Sequence, residues 1–159
     1  MNDTAKLLEH SPLGAELSDA ETDLLAGLMV GRVLDDGDFL LEDGASDDCL
    51  YVILTGKAEV VKKTGADDFV SLAVLREGEL AGELSFIDGT PHTVGIRALS
   101  DMHVLTLERE AFEGVIETHP KLVYKVMRAV ARSAHRIVHR MNREFVELNN
   151  YIFKQHGRY

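Results

Sequence analysis

The densest concentration of chemically useful residues runs from Ala81 to Ala98, AGELSFIDGTPHTVGIRA. It sets a Gly-Glu-Leu turn, starting at Gly82, nine residues ahead of a second turn, Pro91-His92-Thr93. A glycine at 82 lets backbone approach a bound molecule closely, because no side chain intervenes. Amides of the short turn that follows can point at an anion, as those of a helix N-terminus do. Glu83 adds a carboxylate suited to accepting from paired hydroxyls. This is the chemistry of holding a ligand.

The stretch resembles the phosphate-binding cassette of the cyclic-nucleotide-binding domain, the module of catabolite activator proteins and of protein kinase A regulatory subunits. In that family the cassette reads roughly Phe-Gly-Glu-Leu-Ala-Leu, a spacer, then Pro-Arg-Ala-Ala, and the spacing is kept here without a gap. The resemblance implies that Glu83 accepts from a ribose 2′-hydroxyl. It also implies that the amides of Glu83, Leu84 and Ser85 face exocyclic phosphate oxygens. Thr93 follows the family's Arg position, where a hydroxyl is associated with reading a guanine amino group. Leu and Val side chains from the strands, with part of a long helix, would cover the base.

One residue departs from the pattern: His92 stands where the family has its phosphate-pairing Arg. An Arg gives a permanent, bidentate, charge-assisted contact. A neutral imidazole gives one ordinary hydrogen bond. The difference is on the order of 1–3 kcal/mol, or roughly tenfold to a hundredfold in affinity. A bound phosphate favours the imidazolium, so His92 would partly replace Arg below about pH 7. Three readings stay open: weak binding of cAMP or cGMP, binding of another small anion, or a degenerate pocket with no small-molecule role.

The elements around the cassette follow from pattern. Ser18 and Glu21 form a capping-box pair ahead of Leu24, Leu25, Leu28 and Met29, so a short helix spans 18–29. From Arg32 to Leu107 the pattern changes to short apolar runs between glycines at 37, 44, 56, 65, 78 and 89. Each of these glycines reads as a turn with positive φ, whereas Gly82 reads as the point of close ligand approach. The runs include Tyr51 to Leu54, Ala58 to Val61, Phe69 to Leu75 and His103 to Leu107. Residues 108–117 read as a connecting helix, and Pro120 suits the first position of the next one.

From Lys121 to Lys154 there is no Gly or Pro. Val123, Met127, Val130, Ala134, Ile137, Met141, Leu148 and Tyr151 recur by threes and fours as heptad a and d positions, interrupted at Glu144. Tyr124, Ala131, Val138, Phe145 and Ile152 fill the neighbouring e positions. This predicts one helix with an a/d seam for a second copy and an e flank for its own barrel. The expected fold is mainly β with flanking helices. Residues 1–120 form a jelly-roll-like β-roll (a double-stranded β-helix) with an N-terminal helix, and residues 121–159 a dimerisation helix of the same domain.

Composition excludes several function classes. At 159 residues, 45% hydrophobic and 28% charged, the chain can bury a core and is not a disordered tail. A lone cysteine, Cys49, rules out an intrachain disulfide and suits a reducing cytoplasm. The N-terminus has no signal-peptide pattern, and no run is long enough to span a membrane. The net charge of −10 is uneven: −11 over residues 1–48, −6 over 49–120 and +7 over 121–159. Balance of the acidic front by the basic tail is the simplest account, with an acidic partner as the alternative. The family's transcription factors carry a helix-turn-helix after the long helix. This sequence ends at Tyr159, so specific DNA binding is not expected, and the output would pass to an unidentified effector protein.

Enzymatic alternatives are weak. A cupin-type metal site needs converging His and Glu ligands, commonly a His-x-His pair on one strand, and the strand region offers only His92 and His103. His135 and His139 share a helix face, but cationic neighbours Arg132, Arg136 and Arg140 oppose metal capture. Carboxylates beside Cys49 would raise its thiol pKa and dull its reactivity. No catalytic residue, metal or cofactor is expected.

Overall fold

The computed structural model describes residues 2–156. Its helices are α1 (Asp3–Glu9), α2 (Asp19–Leu28), α3 (Glu83–Asp88), α4 (Arg109–Glu113) and α5 (Pro120–His156). The strands are β1 (Val30–Leu34), β2 (Phe39–Leu41), β3 (Cys49–Thr55), β4 (Ala58–Lys63), β5 (Phe69–Leu75), β6 (Leu80–Ala81), β7 (Gly95–Ala98) and β8 (Met102–Glu108). They form two antiparallel sheets, in the orders β1-β8-β3-β6 and β2-β7-β4-β5. This is a jelly roll followed by one long helix. The closing residues 157–159 of the expected helical segment lie outside the described range.

The strand β3 explains how the layers stack. Side chains of a strand alternate between faces. Leu50 and Val52 enter a core with α1, α2, Phe86, Phe112 and the first turns of α5. Cys49, Tyr51 and Ile53 enter a second core between the sheets, with Leu41, Leu75, Ile96 and Val104. Strand β8 divides likewise, Leu105 and Leu107 to the first and Met102 and Val104 to the second. Burial on both faces is why the run from Cys49 to Leu54 reads as continuously apolar.

The capping box at Ser18 forms as expected: Glu21 N–H donates to Ser18 Oγ at 3.2 Å, and Ser18 N–H donates to Glu21 at 3.0 Å. Helix α1 had no counterpart among the expected elements. It is capped by Asn2 and buries Ala5 and Leu8 completely. The connecting helix is shorter than expected, ending at Glu113 with turns up to Thr118. Five of the six turn glycines have positive φ; Gly65 does not.

The faces of α5 correct the expected division of labour. Val130 is buried, Val123 and Met127 pack on the first core, and Ile137 packs on the second. These a/d residues, assigned to a partner helix, therefore cover the chain's own roll. The e residues Tyr124, Val138, Phe145 and Ile152, assigned to the roll, are 45–66% exposed. The physical reason is that buried positions also include Leu122, Val126 and Ala129, which rotates the inward stripe away from e.

Ion pairs fasten α5 to the acidic front and to the turn before β6. Lys125 meets Glu21 at 2.6 Å, Arg128 and Arg132 both reach Glu16, and Arg140 meets Glu79 at 2.8 Å. Charge balance within the chain thus accounts for much of the basic series. The Lys125 ammonium, helped by the backbone and hydroxyl of Ser18, holds the Glu21 carboxyl down at about 2 from an ordinary 4.5. A depressed carboxyl stabilises the fold above its unfolded pKa and ceases to do so as pH falls through the folded value. Glu21→Gln should therefore destabilise the protein at neutral pH, and the deficit relative to the parent should shrink as pH falls from about 5 towards 2. Urea denaturation of both proteins across that range checks this; a deficit independent of pH would contradict it.

Candidate ligand-binding cleft

The cleft begins where β6 turns into α3. Gly82 caps α3 in the left-handed conformation, φ 81° and ψ 18°. A Cβ there would lie 2.5 Å from the Cys49 carbonyl oxygen and 3.3 Å from the Tyr51 ring. Glycine is thus demanded by contact with β3 itself, not only by the ligand approach expected of it. The cap leaves the amides of Glu83, Leu84 and Ser85 without carbonyl partners inside the helix, as in any first helical turn. Phe86 N–H makes the first return bond, to Gly82 O at 3.1 Å. Phe86 also anchors α3 by packing its ring 5.3 Å from that of Phe112.

Glu83 carries the most informative atom of the site. Its Oε1 is buried and has no hydrogen-bond partner among the described residues. Burial pushes the Glu83 carboxyl above its ordinary range. A buried acceptor left unpaired costs about 1–3 kcal/mol. A ligand hydroxyl donating to it would offset that cost.

Ser85 has a structural task that its place in the cassette did not disclose. Its buried Oγ accepts from Asp48 N–H at 3.0 Å and lies 3.4 Å from Ser46 Oγ, tying the loop before β3 to α3. Ser46 Oγ donates to Gly89 O at 3.0 Å, and Arg109 holds the Asp48 carboxylate at 2.9 Å. Asp48 has φ 55°, the one non-glycine positive φ among the described residues. The loop is held closed at several points.

His92, in the loop before β7, packs against this loop rather than standing in an open turn. Its side chain is 6% exposed, and Nε2 is 3.1 Å from Asp47 Oδ1. Its backbone pairs with the loop, accepting from Gly44 N–H at 2.6 Å and donating to Ala45 O at 2.8 Å. Asp47 also accepts from the Tyr51 hydroxyl and, at 3.2 Å, from Cys49 N–H. Burial, then the Asp47 contact, pushes the Tyr51 phenol up. The Cys49 thiol is raised by burial first and by Asp47 next. Sequence reading missed Asp47 and Tyr51 because nothing in the chain order links them to His92. The neighbouring Thr93 is exposed, and its carbonyl accepts from Lys62 Nζ at 2.6 Å.

The cleft itself is ≈ 550 Å³ in volume. Gly82, Glu83, Leu84, Ser85, His92 and Thr93 all line it, so the structure brings the six expected residues to one place. Strand residues Leu41, Val60, Leu75 and Ile96 form apolar walls, and Met127, Val130, Ala134 and Ile137 close it from α5. No Lys or Arg is among its described lining residues. By contrast, His103 lies on the other sheet, its Nε2 against Gly31. Among the described residues, no three His, Cys, Asp or Glu side chains gather as a metal site.

Comparison with known proteins agrees with this geometry. The family model for the cyclic nucleotide-binding domain matches residues 31–119. The chain belongs to the cyclic nucleotide-binding domain family. It superposes on a cyclic nucleotide-binding domain from Methylobacillus flagellatus with TM-score 0.80 and 24% identity, covering 91% of this chain and 81% of that one. The N-terminal domain of a Streptomyces coelicolor transcriptional regulator gives TM-score 0.70 at 31% identity, covering 85% and 94%. The chain is also 29% identical over 130 residues to the neuropathy target esterase sws of Drosophila melanogaster, covering 77% of this chain and 9% of the esterase. It spans less than a tenth of that curated relative.

Proposed function

We propose that this chain is a non-enzymatic, cytoplasmic ligand-sensing module that binds cAMP or cGMP weakly in the cleft and signals through α5 to an effector protein. The observation that supports it most is the unpaired, buried Oε1 of Glu83, in a cleft whose remaining walls suit an apolar base. In this reading the Glu83, Leu84 and Ser85 amides receive the phosphate, Glu83 accepts from the ribose, and Thr93 stands at the base edge. Met127, Val130, Ala134 and Ile137 touch both the cleft and the helix that carries the signal, so occupancy changes how α5 packs. Specific recognition of duplex DNA is not part of this function. No helix among the described residues is long and apolar enough to cross a membrane.

A specific observation favours the rival reading, a degenerate pocket serving only protein contact. His92 is engaged by Asp47, and no Lys or Arg among the described residues lines the cleft. The two readings diverge in calorimetry with cAMP and cGMP. Weak sensing predicts measurable binding to the parent chain, and His92→Arg should strengthen it roughly tenfold to a hundredfold, since Arg offers a permanent, bidentate partner for phosphate. Absence of binding by both proteins would establish the degenerate pocket.

The dimer proposed for this chain uses the far half of α5. Met141, Phe145, Leu148 and Ile152 are 42–65% exposed there, an apolar stripe that a second copy would cover in a parallel pair. Val123, Met127, Val130, Ala134 and Ile137 support the interface from beneath by fixing α5 on its own roll. Phe145→Glu or Leu148→Glu should convert the dimer to a folded monomer, as light scattering at tens of micromolar would report. A parent chain that is already monomeric would contradict the interface.

A further inference from the structure

Seven Lys and Arg side chains lie on α5 between Lys121 and Arg143. Lys125, Arg128, Arg132 and Arg140 are paired with glutamates. Lys121 lies in the first helical turn. The remaining two, Arg136 and Arg143, make no ion pair among the described residues and line a second cleft of ≈ 780 Å³. Among the described residues this cleft shares only Ile137 with the ligand cleft. Its walls come from α5, from the segment 10–15 after α1, and from the turn 77–79 between β5 and β6.

The charged groups facing one another there are unequal. From α5 come His135, Arg136, His139, Arg140 and Arg143; from the segment after α1 comes His10; from the turn come Glu77 and Glu79. Glu79 is matched by Arg140 at 2.8 Å, whose second nitrogen donates to Val74 O at 3.2 Å. That leaves one carboxylate, Glu77, against two guanidinium groups and three imidazoles. The rings of His135 and His139 stack with centroids 6.2 Å apart, so both imidazoles lie on one helix face. A concave wall with two uncommitted arginines and paired imidazoles is a set of donors in search of an acceptor-rich ligand. The volume exceeds what a single phosphate fills and falls in the range of metabolite sites, about 300–1,000 Å³.

We propose that this second cleft binds a small polyphosphate-bearing molecule. Arg136 and Arg143 grip phosphate oxygens, and His135 and His139 donate from the same helix face. The two clefts then differ in kind: among the described residues, Lys and Arg line only the second.

Calorimetry of the full chain with inorganic triphosphate at low salt tests this. Saturable binding is expected. Arg136→Ser and Arg143→Ser should each weaken it about tenfold and the double variant about a hundredfold. Their thermal midpoints should match the parent, because neither side chain makes an ion pair among the described residues. Lys121→Ser removes an unpaired cation from the same helix outside the cleft and should leave binding unchanged. No saturable heat with the parent chain would overturn the site. So would an equal loss in Lys121→Ser, which would mean that the helix attracts anions diffusely.

Discussion

The close approach of Gly82 to the carbonyl of Cys49 governs how the rest of the cleft is built. Any side chain at 82 would enter the backbone of β3, and the positive φ there turns the chain sharply from β6 into α3. That turn places Glu83 in the wall of the cleft, with its Oε1 buried and unpaired among the described residues. The same contact places Ser85 against the loop before β3, and that loop carries Asp47 and Asp48. One glycine therefore fixes an acceptor, the first-turn amides of α3 and the loop that restrains His92.

Helix α5 serves two surfaces with two lengths of one helix. Its first half is part of the roll, with Leu122 and Val126 almost fully buried and Lys125, Arg128 and Arg132 pinned to the acidic front. Its second half projects, leaving Phe145, Leu148 and Phe153 at least 56% exposed. Met127, Val130, Ala134 and Ile137 lie between cleft and helix. A ligand displacing any of these side chains must move the helix that carries them, because packed interiors yield in discrete steps. This is the physical route from occupancy to output in the proposed function.

Much of this was legible in the order of residues. Strand β5 has the bounds read from Phe69 to Leu75, and the box at Ser18 starts α2 as expected, because both signals are local. The cassette was legible because a turn, a carboxylate and a second turn at fixed spacing must fold together. Helix α1 escaped notice since two turns offer too few apolar residues for a period. The face of α5 was misassigned because heptad spacing reveals a stripe but not what covers it: own roll and second copy ask for the same residues. The Tyr51–Asp47–His92 contact was invisible because it joins positions 45 residues apart through β3 and the loop before β7.

The role of Glu83 is the claim on which the proposed function turns. It is tested most directly by a double-mutant cycle comparing cAMP with its 2′-deoxy analogue, on the parent chain and on Glu83→Ala. If Glu83 accepts from the ribose, loss of the 2′-hydroxyl should weaken binding to the parent about tenfold or more. In Glu83→Ala the two nucleotides should bind equally, because the hydroxyl has no acceptor to lose. A deoxy penalty of the same size in both proteins would contradict the account and assign the hydroxyl to another partner.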